Sequence, residues 1–520
     1  MTKKNKLLYT SAEWTVDSVQ KTWDVIDKIA REELGLDYYP PQIELITFDQ
    51  MIDAYSTVGM PIFYQHWSFG KSFINTERAY KAGEQGLAYE MVINSDPAVC
   101  YCLETNTSTM QALVLAHAAC GHVNFFKNNY LFKEWTDASS IIPYLKYAKE
   151  YVDKCIETHG ADVVEDLLDA CHALQNYGVD LFKRPKKKSQ EEYFEQELER
   201  LKFKEQHYKE EHEIYPGFSD KDKIRRLNEF QNSLDKLLTA SNPEQYEYSR
   251  GFPEENILYF LEKKSPVLMN WEKEIVRIVR NIAQYFHPQR QTKVMNEGWA
   301  SFIHYTIMNI LHDRGYISGG NMLEFLHSHT NVCCQHDLNP LNPYTLGFSI
   351  FSDIKRMCLE PTEEDKEWFP DIAGQEDWLT ICKDIVKNYR DESFILQFLS
   401  PKVIRDLKLF SIRRDSNQLD ENGREKDYYE VMATHRVEDI KQLRLSLSQQ
   451  YQLDYYRPNI QITSVDWTMR VLTLTHFIPG AGSNVRDLDD SSANKVWSHL
   501  IRLWGFDIDF EQKITDVSNE

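Results

Sequence analysis

"LAHAACGHVNFFKNN", residues 115–129, places His117 and His122 five positions apart in an alanine-rich apolar run. Such a run reads as a buried helix, and its two imidazoles decide what kind of helical fold the chain builds. A zinc-protease helix reads H-E-x-x-H, with both imidazoles on one face and a glutamate beside the first. Here the spacing is one residue longer, and alanine stands where that glutamate would be. Over five residues a regular α-helix turns ~500°, which leaves the two rings ~140° apart. They can share an ion only if the helix ends or bulges near Cys120–Gly121, where glycine gives the backbone freedom. Otherwise His117 is a hydrogen-bonded core histidine and His122 closes the helix.

Outward from this stretch the helical period dominates as far as about residue 410. Val16, Val19, Trp23, Ile26 and Ala30 already fall at helical spacing. Similar patterns cover 108–122, 139–157, 161–177, 254–263, 271–286, 297–312 and 376–389, and strand-like alternation is scarce. The expected fold is mainly α, a large helical domain with a zincin-like metal-site arrangement. It comprises 1–182 and 251–415, separated by a charged insertion at 183–250 that begins "KRPKKKSQEEYFEQELERLKFKEQ". After about residue 420, "KDYYEVMAT", "VEDIKQLRLSLSQQY", "NIQITSVDWTMRVLTLTHFI", "SANKVWSHLIRLWG" and "FDIDFEQ" read as β-α-β-β-α-β. That order predicts a small ferredoxin-like α+β domain at 425–520 that folds separately and supplies no metal ligand.

Composition narrows the function classes. The 520 residues carry a formal net charge of −21, which argues against a nucleic-acid binder. No apolar stretch reaches the roughly 18–20 residues of a membrane span, and no signal-peptide pattern opens the chain. A cytoplasmic protein is expected. The nine cysteines, with no C-x-x-C pair, read as reduced and mostly buried thiols.

Further potential ligands lie in the helical part. In "VMNEGWASFIHYTIM" (294–308), Glu297 and His304 are seven apart and share a helix face. The local N-E-G-aromatic-A pattern is the one in which glutamate-type zincins supply their third zinc ligand, although Glu297 could instead pair with Arg290 or Lys293. Glu165, Asp169 and His172 form a second helical stripe, with the D-x-x-H spacing that helical di-iron proteins use in its glutamate form. His327, His329 and His336 cluster where a helix runs into a loop.

Longer blocks carry a resemblance. "DPAVCYCLETNTSTMQALVLAHAACGHVNFFKNNYLF", "TKVMNEGWASFIHY", "FLHSHTNV", "NPYTLGFSIFSDIKR" and "DESFILQFLSPKVIRD" resemble the stage V sporulation protein R family, from about residue 10 to 515. The resemblance implies a link to the spore cortex, a peptidoglycan layer. In bacteria that form no spores it implies a link to a serine-kinase partner system of starvation and stress. It implies no particular reaction.

Three readings follow from the residues. In the first, His117, His122 and Glu297, with His304 on the same face as Glu297, form a Zn²⁺ site for hydrolysing an amide in a peptide or peptidoglycan precursor. The missing helix glutamate then has to be replaced by Glu104 or Glu90 as the base. In the second, Glu104, Glu165, Asp169, His117, His172, Glu297 and His304 hold two iron ions. In the third, the histidines are structural and the protein is a non-enzymatic regulator.

Overall fold

The computed structural model describes residues 7–57, 59–60, 62–82, 90–184, 252–335, 340–419, 425–432, 436–452, 457–479 and 490–515. The expected charged insertion beyond residue 184, and His336, lie outside these described residues.

The helical expectation holds. The predicted segments appear as Ile141–His159, Ala161–Ala173, Ile257–Lys264, Asn270–Gln291, Lys293–Asp313 and Trp378–Asn388. Their apolar stripes form two cores. One gathers the 115–126 segment, the Lys293–Asp313 helix and the Pro343–Leu359 helix around Trp299, Phe325 and Phe351. The other gathers Leu145, Val152, Leu168, Ile275 and Val279 from the Ile141–His159, Ala161–Ala173 and Asn270–Gln291 helices.

A small sheet that the sequence reading overlooked precedes the first core. Strands β1 (Pro41–Ile46), β2 (Glu90–Val92) and β3 (Ala98–Leu103) are ordered β1-β3-β2, with β1 parallel and β2 antiparallel to β3. The central strand, AVCYCL, is buried on nearly every residue, so it shows none of the alternation that marks a half-exposed strand.

Two glycines set the crossing that builds the site. Gly298 on the Lys293–Asp313 helix meets Gly347 on the Pro343–Leu359 helix backbone to backbone. A Cβ at residue 347 would lie 2.1 Å from the Val294 carbonyl oxygen and 2.7 Å from Gly298 Cα. The start of the Lys293–Asp313 helix is fixed by Asp391, a fully buried side chain. Its two carboxylate oxygens accept from the amides of Val294 and Met295 at 2.9 Å each.

The C-terminal region departs from the ferredoxin-like expectation. The elements occur in the expected order, but β5 (Glu425–Met432) pairs with β4 (Ser411–Leu419) as a separate two-stranded sheet. The remaining strands, β6 (Asn459–Asp466), β7 (Val471–Pro479) and β8 (Ile508–Thr515), form a three-stranded sheet. Ser411–Leu419, "SIRRDSNQL", lacks the apolar alternation of a strand, and only its first residues fall within the expected helical part, which ends at 415. The Val437–Gln449 helix buries Ile440, Leu443 and Leu447 in the first core rather than on that sheet.

Among the described residues the three-stranded sheet also has no core of its own. Leu472, Leu474, Leu503 and Trp504 share the second core with Leu258, Leu261 and Ile275, and Ser265 Oγ donates to the Leu503 carbonyl at 2.7 Å. A fragment of residues 458–515 is therefore expected to show no cooperative thermal transition by circular dichroism, because its apolar face would be left in water. A sharp, reversible melt of the fragment would refute the shared core.

Candidate metal centre

The opening histidine pair sits on a π-helix. Thr107 caps the Ser108–Val114 helix, its hydroxyl accepting from the Met110 amide at 3.2 Å, and the chain widens to π geometry over Leu115–His122. Bonding from i to i+5 lays residues five apart one above the other, which a regular α-helix cannot do. The His117 and His122 ring centroids are accordingly 4.6 Å apart, with the rings at 89°.

Gly121 is required for a different reason than backbone freedom. A Cβ there would lie 2.6 Å from Ala300 Cα, so its hydrogen side chain lets the π-helix lie directly on the Lys293–Asp313 helix. The Cys120 thiol turns away from the imidazoles and donates to the Tyr38 hydroxyl at 3.7 Å.

Two carboxylates meet the imidazoles. Glu297 Oε2 stands 3.8 Å from His117 Nε2 and 3.5 Å from His122 Nε2, in contact with both rings. Glu90, at the start of β2, approaches from the other side, with Oε1 3.4 Å from His117 Nε2. Glu90, His117 and His122 each offer a ligand atom within 4.8 Å of the others. Ligands held at about 2 Å around a tetrahedral ion stand about 3.3 Å apart, so these separations suit a shared cation. Glu90 Oε2 and Glu297 Oε2 are buried, and among the described residues neither has a hydrogen-bond donor. Neither Arg290 nor Lys293 forms an ion pair with Glu297 among the described residues; Glu297 faces the histidines instead.

A supporting layer orients these groups. His122 Nδ1 donates to Asn296 Oδ1 at 2.9 Å, which leaves its Nε2 lone pair facing Glu297. His117 Nδ1 meets His304 Nδ1 at 2.8 Å, and His304 Nε2 meets His329 Nδ1 at 2.8 Å, giving a chain of three imidazoles leading away from the carboxylates. The Tyr344 ring stacks beside the His117 ring, centroids 6.5 Å apart, next to the Glu297 carboxylate.

The protonation pattern follows from burial and these neighbours. Burial pushes Glu90 up to about 7, against the opposing pull of His117. Burial also pushes His122 down to about 4. At His117 burial is outweighed by the charges of Glu90 and Glu297, so the ring is held above its ordinary value. At Glu297 burial is outweighed by the two imidazoles, so the carboxyl is held below its ordinary value. A proton on His117 partly fills the role that a cation between the four groups would fill fully.

The predicted residues therefore separate. His117, His122, Glu297 and Glu90 come together. His304 is not placed as a ligand: both its ring nitrogens are occupied by His117 and His329, so it stands behind the cluster. Glu104 is exposed where the chain leaves β3, and of the two carboxylates expected to serve as base only Glu90 reaches the imidazoles. The two-iron set does not assemble. Asp169 accepts from Trp67 Nε1 at 2.9 Å and lies 3.1 Å from His66 Nε2, while His172 Nε2 is 2.7 Å from the Tyr64 hydroxyl. Glu165 lines a separate hollow with Lys149. His327 bonds to Asn331 at 3.2 Å on the surface.

Sequence reasoning missed Asn296, Tyr344 and the role of His329. Asn296 carried a signal in its adjacency to Glu297. Tyr344 carried none, since it reaches the site only through the glycine crossing.

Residues 13–456 match the family described as "SpoVR like protein", and residues 458–515 match the "SpoVR-like C-terminal domain". The chain belongs to the SpoVR family. It is also 48% identical over 526 residues to a protein of Escherichia coli (strain K12) named "Uncharacterized protein YcgB", with 100% of this chain and 96% of that protein covered. No solved structure matches this SpoVR-family chain. No described helix is long and apolar enough to cross a membrane.

Proposed function

We propose that this SpoVR-family protein is a metal-dependent hydrolase of amide bonds. The observation that supports the reading is the meeting of two imidazole Nε2 atoms with two carboxylates, each with one buried oxygen that has no donor among the described residues. In this reading His117, His122 and Glu297 hold Zn²⁺, and Glu90 is the proton acceptor. Zinc bound there would supply an acidified water and polarise the substrate carbonyl. The raised pKa of Glu90, about 7, suits a base working near neutral pH. Asn296 and His304 keep the imidazole ligand atoms aimed. The substrate class that fits the family is a peptide or peptidoglycan precursor met in the cytoplasm, with the serine-kinase stress system as the regulatory partner.

Two histidines and one carboxylate are also the donor set of non-haem Fe(II) sites, so the same residues support an iron centre as the second reading. Elemental analysis separates the two.

Glu90→Gln tests the assignment. It is expected to retain the metal while lowering metal-dependent cleavage of a synthetic peptide library by about 100-fold or more. Loss of the ion in this variant, or full activity, would overturn the role given to Glu90. The same variant carries a stability prediction. The Glu90 carboxyl ionises near 4.5 when unfolded and near 7 when folded, so the stability linked to its proton is complete below about 4.5 and is lost as pH rises through about 7. Metal-free Glu90→Gln should therefore melt above metal-free wild type at pH 8 and alongside it at pH 4, as read by calorimetry.

A further inference from the structure

A cavity of about 770 Å³ ends at Glu297 and Asn296. One wall is aromatic and apolar, formed by Phe63, Trp67, Phe69, Ile282 and Phe286. Its remaining border carries two cations, Arg290 and Lys293, together with His172 and with Asp169, whose carboxylate is engaged by His66 at 3.1 Å. Lys293 precedes Glu297 by four residues on one helix, so it shares that face one turn away, a rise of about 6 Å. Neither cation has a carboxylate partner among the described residues; Arg290 Nη1 donates to Asn176 Oδ1, and Arg290 borders the cavity from the surface. Lys293, one helical turn from Glu297, and Arg290, at the end of the preceding helix, are both exposed at this border, and with the aromatic wall they describe a receptor for an anionic group joined to an apolar one.

We infer that the cavity binds the C-terminal residue of a peptide, with Lys293 and Arg290 taking its free carboxylate and the aromatic wall taking an apolar or aromatic side chain. This rests on the hydrolase reading above and makes the reaction a release of the terminal residue. In a C-terminal residue only the nitrogen and Cα separate the scissile carbonyl carbon from the carboxylate carbon, a span that the one-turn offset between Glu297 and Lys293 accommodates. Water adds its oxygen to the carbonyl carbon and gives a proton to Glu90. The C–N bond then breaks, and that proton passes to the leaving amine. The products are a shortened peptide acid and a free amino acid, with no oxidant or reductant consumed.

The test uses the full chain loaded with zinc. Acetyl-alanyl-phenylalanine should be cleaved at least about 10-fold more efficiently than its C-terminal amide. The non-hydrolysable probe 2-benzylsuccinate should bind by calorimetry, and Lys293→Ala and Arg290→Ala should each weaken it about 10- to 100-fold, the loss typical of a charged hydrogen bond. Metal content should be unchanged in both variants. Equal cleavage of acid and amide, no binding of the probe, or unchanged affinity in both variants would overturn carboxylate recognition while leaving the hydrolase reading intact. A wild-type chain that takes up no zinc would instead overturn the hydrolase reading, and this inference with it.

Discussion

His117→Ala is expected to remove the metal from the full-length protein, with the apparent affinity falling by at least about 1,000-fold and the fold retained. His117 Nε2 is the atom nearest to both carboxylates together, 3.4 Å from Glu90 and 3.8 Å from Glu297. Removing it leaves His122 and a buried pair of like charges, which repel without an ion or a proton between them. His122→Ala should act similarly. His304→Gln is the graded control. It touches only the Nδ1 side of His117, so its loss should weaken the ion by about 10- to 100-fold, as removing an outer hydrogen-bond partner does. Metal titration in the presence of a competing chelator reads all three. Equal affinity in wild type and His117→Ala would refute the ligand assignment.

Gly347→Ala is expected to destabilise the protein by about 3–5 kcal/mol, although it adds a single methyl group. That methyl would lie 2.1 Å from the Val294 carbonyl oxygen and 2.7 Å from Gly298 Cα, and backbone cannot rotate aside as a side chain can. The two helices must separate. Because Tyr344 lies one turn before Gly347 and Glu297 lies beside Gly298, the separation also draws Tyr344 away from the Glu297 carboxylate. Denaturant unfolding should show the lower midpoint. A change below about 1 kcal/mol would mean that the helices do not cross this closely.

How much of this was legible in the sequence depended on whether the signal was local. His117 and His122 stood out because five-residue spacing is wrong for an α-helix, and the conflict itself pointed to the bulge that the π-helix supplies. Glu297 was legible from its short helical pattern. Glu90 was legible only as a carboxylate free to replace the missing base, since its approach to His117 depends on β2 pairing with β3. His304 shares a helix face with Glu297 as expected, but a shared face does not reveal that its ring nitrogens meet His117 and His329. Tyr344 and Asn296 depend on contacts between helices whose crossing is set by absent side chains, which no periodicity records. In the C-terminal region the order of elements was readable, but strand pairing was not. β5 finds its partner in a polar segment before it, so the ordered string β-α-β-β-α-β did not become one sheet.

The central claim is that His117, His122 and Glu297 hold a cation, and the measurement closest to it is the metal content of the full-length protein purified without chelator. Inductively coupled plasma mass spectrometry should find about one zinc or iron ion per chain in wild type and almost none in His117→Ala. Wild-type protein with no stoichiometric transition metal, and none retained after incubation with zinc or ferrous iron, would contradict the account and leave the histidines a structural role.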